Sequence, residues 1–298
     1  KTMRRLEVTI ILAILAVSAI IIYFFSKHGY YAQSIEDYTY SIETNWELPG
    51  ALKEVSGISW VKDSTIAAVQ DEDGIIFHYN LHEMKITDTI AFGERGDYEG
   101  LAIKDSTAYV MRSDGLLFEV SNYTSKTKQS VTTYQTIFES KHNVESLAYD
   151  EDNNRLLIIA KDRDPKSKRN KGVYAFSLDS KKMAKNPIVT IDLKDKSFSE
   201  FSTKKVQKTF RPSDIAIHPK TKEFYVLEGV NPKLIILSPQ GKVKKIQLLN
   251  PDDFQQPEGI TFSKDGDLYI SNEFHATDAN ILHVLLEEKT VKKDSIKK

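Results

Sequence analysis

The chain has 298 residues, 40% hydrophobic and 28% charged, a composition that excludes wholesale disorder. Lys and Arg number 41 against 42 Asp and Glu, so the chain lacks the basic excess of a nucleic-acid binder, and no nucleic-acid partner is expected. Cysteine is absent, which excludes disulfides, thiolate metal sites and cysteine nucleophiles.

Residues 8–25, VTIILAILAVSAIIIYFF, carry no charge. Eighteen helical residues span roughly 27 Å, close to a bilayer core. Lys1, Arg4 and Arg5 precede the stretch, so the positive-inside rule orients the N-terminus to the cytoplasm and the remainder outside. The expectation is a cytoplasmic tip and signal anchor over 1–27 and a linker over 28–37. The chain is thus expected to be single-pass in the plasma (inner) membrane, with an extracytoplasmic, periplasmic domain. A cleaved signal peptide is the competing reading, but Ser26-Lys27-His28 makes a poor cleavage site. Without residues 1–27 the remainder carries a net charge of −4.

A phrase then recurs: a polar or acidic residue, a small residue and an apolar strand. It reads Ser56-Gly57-Ile58, Glu99-Gly100-Leu101, Glu145-Ser146-Leu147, Ser213-Asp214-Ile215 and Glu258-Gly259-Ile260. Each is followed by a turn signal and a second strand: AAVQDE (67–72), AYVMRS (108–113), LIIAKD (157–162), FYVLEG (224–229) and LYISNE (268–273). Third strands follow at 75–80, 116–121, 173–178, 234–239 and 281–286. Fourth strands follow at 86–92, 134–140, 188–193 and 243–249. Groups of four short strands at a period near 45 residues predict an all-β fold, a β-propeller over 38–290 with a Lys-rich tail over 291–298. Five phrases predict five blades, with six as the alternative because the third interval is longer. The last repeat lacks a fourth strand, and residues 38–48 are expected to supply it and close the ring. The long interval reads as two insertions: a solvated basic loop, 162–171, and a Ser/Lys-rich segment, 195–211.

The phrases ELPGALKEVSGISW, GDYEGLAI, NVESLAYD, PSDIAIHP and QPEGITFSKDGDLYISNE resemble the SdiA-regulated family over about residues 45–290. The resemblance implies a membrane-anchored propeller and assigns no chemistry. SKDGDLYISN also resembles gluconolactonase-like propellers, which by analogy implies an axial metal with Glu and Asn ligands.

In a propeller the first strands line the channel. Their starts contribute Ser56, Glu99, Glu145, Ser213 and Glu258, and the second-strand ends contribute Asp71, Arg112, Lys161, Glu228 and Asn272, with Glu273 beside them. Adjacent antiparallel strands bring these two sets to one face. Converging carboxylates need neutralisation. One reading is a hard cation such as Ca²⁺ held by Glu99, Glu145 and Glu258. The other pairs the acids with Arg112, Lys161 and backbone amides. The expected function is binding of a small ligand, cation or protein partner at an acidic channel mouth, and the alternative is a metal-dependent esterase- or lactonase-like hydrolase. G-x-S-x-G and Walker phrases are absent.

Overall fold

The computed structural model describes residues 39–287. The expected anchor at 8–25, the linker at 28–37 and the tail at 291–298 lie outside the described residues. Among the described residues, no helix is long and apolar enough to cross a membrane.

Five antiparallel sheets follow one another along the chain. Blade 1 is β2 (Val55–Lys62), β3 (Thr65–Gln70), β4 (Ile75–Asn80) and β5 (Lys85–Ala91). Blade 2 is β6 (Tyr98–Lys104), β7 (Thr107–Arg112), β8 (Leu116–Ser121) and β9 (Ser130–Gln135). Blade 3 is β10 (Ala148–Asp150), β11 (Arg155–Ile158), β12 (Asn170–Ser177), β13 (Lys182–Met183) and β14 (Val189–Asp192), the last two sharing β12 as partner. Blade 4 is β15 (Pro212–Ile217), β16 (Phe224–Glu228), β17 (Lys233–Leu237) and β18 (Val243–Leu248). Blade 5 is β19 (Pro257–Phe262), β20 (Leu268–Asn272), β21 (Asn280–Leu286) and β1 (Tyr40–Glu47). The fold is a five-bladed β-propeller.

The ring closes as the missing strand requires. β1 pairs antiparallel with β21, from Tyr40 opposite Leu286 to Glu47 opposite Asn280. This covers the edge that β21 would otherwise expose. The fourth strand of blade 2 lies earlier than the sequence pattern predicts. β9 is Ser130–Gln135, and Thr136 leaves the sheet because its hydroxyl donates to Gly115 O at 2.6 Å.

Apolar alternation on both faces of each sheet has a direct packing consequence. The molecule has five wedge-shaped cores, one between each pair of neighbouring blades. Val69, Ile76, Leu101 and Val110 fill the wedge between blades 1 and 2, and Leu52, Ile58, Tyr269 and Ile281 the one between blades 5 and 1. Phe77, Phe118 and Phe176 are buried in such wedges, and Phe262 packs half-buried against the one between blades 4 and 5. The 195–211 insertion adds Phe198 and Phe210 to the wedge between blades 3 and 4, and is no sixth blade.

The small residue in each repeat has a steric cause. A Cβ on Gly57 would lie 2.6 Å from Glu99 O, and one on Gly259 2.5 Å from Ser56 O. The inner strands therefore touch backbone to backbone around the axis. Asp214, at the equivalent place in blade 4, is buried. It accepts from Leu147 N at 3.2 Å, Ile215 N at 2.8 Å and Ile260 N at 2.9 Å, linking blades 3, 4 and 5. Ser59 and Thr261 do similar work, accepting from Ile103 N and Trp60 N of neighbouring blades. Inner-edge N–H groups that the ladders leave free are thus satisfied between blades.

The loop read from sequence as wholly solvated is not so at its end. Lys171 lies in β12 and is completely buried. Its Nζ donates to Ala160 O at 3.1 Å, to Lys161 O at 2.7 Å and to Asp162 O. Burial pushes its pKa down to about 8, against the pull of Asp162 and Asp164.

Candidate functional site

Each inner strand begins with a β-bulge, and the repeated acid or serine sits in it. Tyr98 opposes Arg112 and Gly100 opposes Met111, which leaves Glu99 as the extra residue. Ser213 and Glu258 are extra in the same way in blades 4 and 5. Blade 1 shifts register between Val55 and Ile58, around Ser56. In blade 3 the Val144–Ala160 bridge and the Ala148–Leu157 pair leave one unmatched residue in the segment holding Glu145. A bulge re-aims its side chain, and the propeller repeats the device five times at one end of the channel.

The same register shows which second-strand residues join them. Gln70, Arg112, Ala160, Glu228 and Asn272 oppose the residue before each bulge. The residues one step further are Asp71, Ser113, Lys161, Gly229 and Glu273, and one step in a strand switches faces. Asp71, Lys161 and Glu273 therefore interact at the mouth, while Arg112, Glu228 and Asn272 are engaged elsewhere. Arg112 makes a two-pronged bond to Asp114, at 3.0 and 2.8 Å. Glu228 is fully buried 2.6 Å from Lys233 Nζ. Asn272 Nδ2 donates to Asn280 Oδ1 at 2.8 Å. Ser56 and Ser213 serve the backbone, donating to Glu54 O and Pro257 O.

A third set, two residues before each bulge, escaped the repeat pattern: Glu54, Asp97, Asn143, Arg211 and Gln256. Backbone bonds tie it to the second, with Asp71 N on Glu54 O, Ser113 N on Asp97 O, Lys161 N on Asn143 O and Glu273 N on Gln256 O. Its side chains reach the same acids. Asn143 Nδ2 donates to Glu145 Oε1 at 2.7 Å, and Gln256 Nε2 to Glu273 Oε2 at 2.5 Å. The signal was present in the sequence as a shared −2 offset, but five different residue types hide it.

The mouth thus gathers seven carboxylates (Glu54, Asp71, Asp97, Glu99, Glu145, Glu258 and Glu273) and three cations, Lys161, Arg211 and, 3.7 Å from Glu54, Lys53. Lys161 Nζ contacts Glu145 and lies 3.7 Å from Glu258. Arg211 also holds Asp162, at 2.8 Å. Burial drives Glu145 up to about 8, reinforced by Glu258 and opposed by Lys161. Glu99 is held well above the usual carboxylate range by burial and then by Glu145 and Glu258. Glu258 is raised by burial against Lys161. Burial and a hydrogen bond shared with Glu54 push Glu273 up to about 8, and burial with Glu54 and Asp97 brings Asp71 to about 6. Burial works against the charge of Lys161, but Glu258 and Glu145 outweigh it, and its pKa rises.

Of the two expected neutralising groups, Lys161 serves the ring, whereas Arg112 is held chiefly by Asp114 and only secondarily feels Asp97. Lys161 stands among Glu99, Glu145 and Glu258, the three residues expected to ligate Ca²⁺, and a metal there would compete with its ammonium. No group of three His, Asp or Glu placed to hold a metal ion occurs among the described residues. The acidic Asp71–Gly74 segment is a turn, in which Gln70 Oε1 accepts from Glu72 N at 2.5 Å and from Asp73 N at 3.3 Å. The opposite mouth differs in character. It opens into a cavity of about 1010 Å³, collared by Trp60, Ile103, Tyr149, Ile217 and Phe262.

Among solved structures the fold is similar to Myxococcus xanthus glutaminyl cyclase, at 13% identity and TM-score 0.56, covering 83% of this chain and 96% of that one. It is similar to a luciferin-regenerating enzyme at 11% identity and TM-score 0.50, covering 81% and 94%. A streptogramin B lyase aligns at 15% identity and TM-score 0.45, covering 78% of this chain and 66% of that one. At these identities the likeness to the cyclase and to the luciferin-regenerating enzyme shows the fold alone. No curated protein matches the sequence. Residues 31–276 match the SdiA-regulated family, and with its repeat phrases now placed on five closed blades, the chain belongs to that family.

Proposed function

We propose that the propeller is a binding module whose acidic mouth takes a ligand with a cationic group, on a small molecule or on a protein. The observation that carries this reading is the imbalance of seven carboxylates against three cations, Lys161, Arg211 and Lys53. Lys161 sits against Glu145 and Glu258, and Lys53 lies 3.7 Å from Glu54, which leaves Asp71, Asp97 and Glu273, acids with no ion pair among the described residues, to receive an ammonium or guanidinium. Such a ligand would offset the burial and the carboxylate neighbours that raise Asp71 and Glu273, and would gain from a partly desolvated surround. Residues 8–25 belong to the same reading as a membrane tether that holds the mouth outside the plasma (inner) membrane.

A second reading is favoured by one observation, the hydrogen bond shared between Glu54 and Glu273 with the latter titrating near pH 8. A carboxyl poised there suits general acid–base work, as in ester or lactone hydrolysis.

The test is a thermal melt with spermidine, with Ca²⁺ and with EDTA. Spermidine should stabilise the wild type by about 2.7 kcal/mol at a hundredfold excess over Kd. Asp71→Asn combined with Glu273→Gln should abolish that gain. No shift with any additive would sink the binding reading. A gain with Ca²⁺ alone, accompanied by lactone or ester turnover, would favour the hydrolase.

A further inference from the structure

Charge is unevenly spread around the ring. Residues 151–250 hold 22 Lys and Arg against 11 Asp and Glu, whereas 39–150 hold 9 against 18. Much of the excess converges in one place. The two insertions of blade 3 and the turn before it enclose a pocket of about 1000 Å³ lined by Lys141, Arg163, Lys166, Lys168, Lys205 and Lys208.

The acids in that pocket are already engaged. Glu139 is bonded to Lys141 at 2.8 Å and Asp162 to Arg211. Asp164 accepts from Lys166 N at 2.8 Å, Ser167 N at 2.9 Å, Gly172 N at 2.7 Å and Tyr174 OH at 3.0 Å. Arg163, Lys166, Lys168, Lys205 and Lys208 form no ion pair among the described residues.

The pocket is also built. Asp164 pins the 163–171 loop, and Gln207 stitches the two insertions together. Its Oε1 accepts from Asp164 N at 3.2 Å and its Nε2 donates to Asn170 O at 3.0 Å. Ser167 Oγ accepts from Arg169 N at 3.1 Å and Asn170 N at 2.9 Å. Beneath the loop, Lys171 locks the 160–162 backbone. Like charges held together on a braced concave surface repel one another unless an anion joins them. Lys and Arg provide strong charge-assisted bonds to phosphate oxygens, and a multiply charged anion satisfies several at once.

We propose that this pocket is an anion site for a ligand with clustered phosphate groups, distinct from the acidic mouth and independent of its function. The same chemistry is offered by a soluble oligophosphate and by a phosphorylated lipid headgroup. Calorimetric titration of the full chain with inorganic triphosphate and, separately, with a short-chain soluble phosphatidylinositol bisphosphate distinguishes them.

Triphosphate should bind saturably and weaken as salt rises. The triple variant Arg163→Gln/Lys168→Gln/Lys205→Gln should lose about tenfold or more in affinity. Its three sites are exposed, so the fold is retained. Lys62→Gln/Lys264→Gln, at the opposite mouth, should bind as the wild type does. Tighter binding of the phosphatidylinositol bisphosphate, lost in the same triple variant, upholds the site and assigns it to a headgroup. Binding of neither ligand, an unchanged triple variant, or an equal loss in the opposite-mouth variant overturns the proposal.

Discussion

Replacing Glu145 by Gln isolates the electrostatic character of the mouth. Glu145 is buried, its Oε1 accepts from Asn143 and its Oε2 contacts Lys161; a glutamine keeps one of these through its carbonyl oxygen and, like the protonated acid, turns a donor toward the other. What it removes is a charge that the fold disfavours. The folded pKa is raised from 4.5 to about 8, so the stability this carboxyl contributes is fully present below pH 4.5 and is lost as pH rises through 8. At about 1.4 kcal/mol per pH unit the ceiling on the loss is roughly 5 kcal/mol. Glu99 and Glu258 face the same Lys161 and share the proton, so a measured difference of about 2 kcal/mol is expected. Lys171 titrates in the opposite sense. Its folded pKa is depressed to about 8 from 10.5, so its contribution is present above 10.5 and lost as pH falls through 8, outside the range of this comparison. The assay is equilibrium urea unfolding followed by Trp46 and Trp60 fluorescence at pH 5 and pH 8. Glu145→Gln should match the wild type at pH 5 and exceed it at pH 8. A variant equally less stable at both pH values would refute the argument, because the Lys161 contact would then outweigh desolvation.

Lys233→Met should cost about 3–5 kcal/mol by leaving Glu228 buried without its partner, and Glu228→Leu/Lys233→Met should recover most of that loss in the same unfolding assay. Asp214→Ala orphans three backbone N–H groups around the axis and should cost several kcal/mol, about 1–3 for each group left unsatisfied; a loss under about 1 kcal/mol in urea unfolding would show that the blades do not depend on it. Removing residues 39–48 strips β1 from β21 and should broaden or abolish the cooperative thermal transition; an unchanged melting temperature would contradict the closure energetics.

Much of the architecture was legible because propeller blades repeat both their apolar alternation and their turns. The phrases at Glu99, Glu145 and Glu258 marked the inner strands, and the missing last strand pointed to residues 38–48. The site was legible in part. A period finds equivalent positions, but it does not reveal a bulge, and an extra residue shifts the facing partner by one. Glu228, Asn272 and Arg112 are therefore read from the period as channel residues, with Glu273 only beside them and Ser113 passed over, whereas the register puts Asp71, Lys161 and Glu273 one step further, at the mouth. Glu54, Asp97 and Arg211 were missed because the third set shares position and not residue type. Lys171 was missed for another reason: a lysine within a polar run looks solvated unless the carbonyls that cage it are known.

The closure of blade 5 also determines how the domain responds to force. Glu287 N donates to Thr39 O at 2.9 Å, so the described chain begins and ends at one point on the outer rim. β1 and β21 run antiparallel from that point, with Tyr40 opposite Leu286 as the first rung. Tension applied between residues 39 and 287 would load the rungs one after another, as in opening a zipper. Tension between residue 39 and an inner strand would instead be carried along β1 and into the blade. The propeller is therefore mechanically weak along one direction of pull and strong along another, a property of how β1 and β21 lie side by side and not of how tightly its wedges pack.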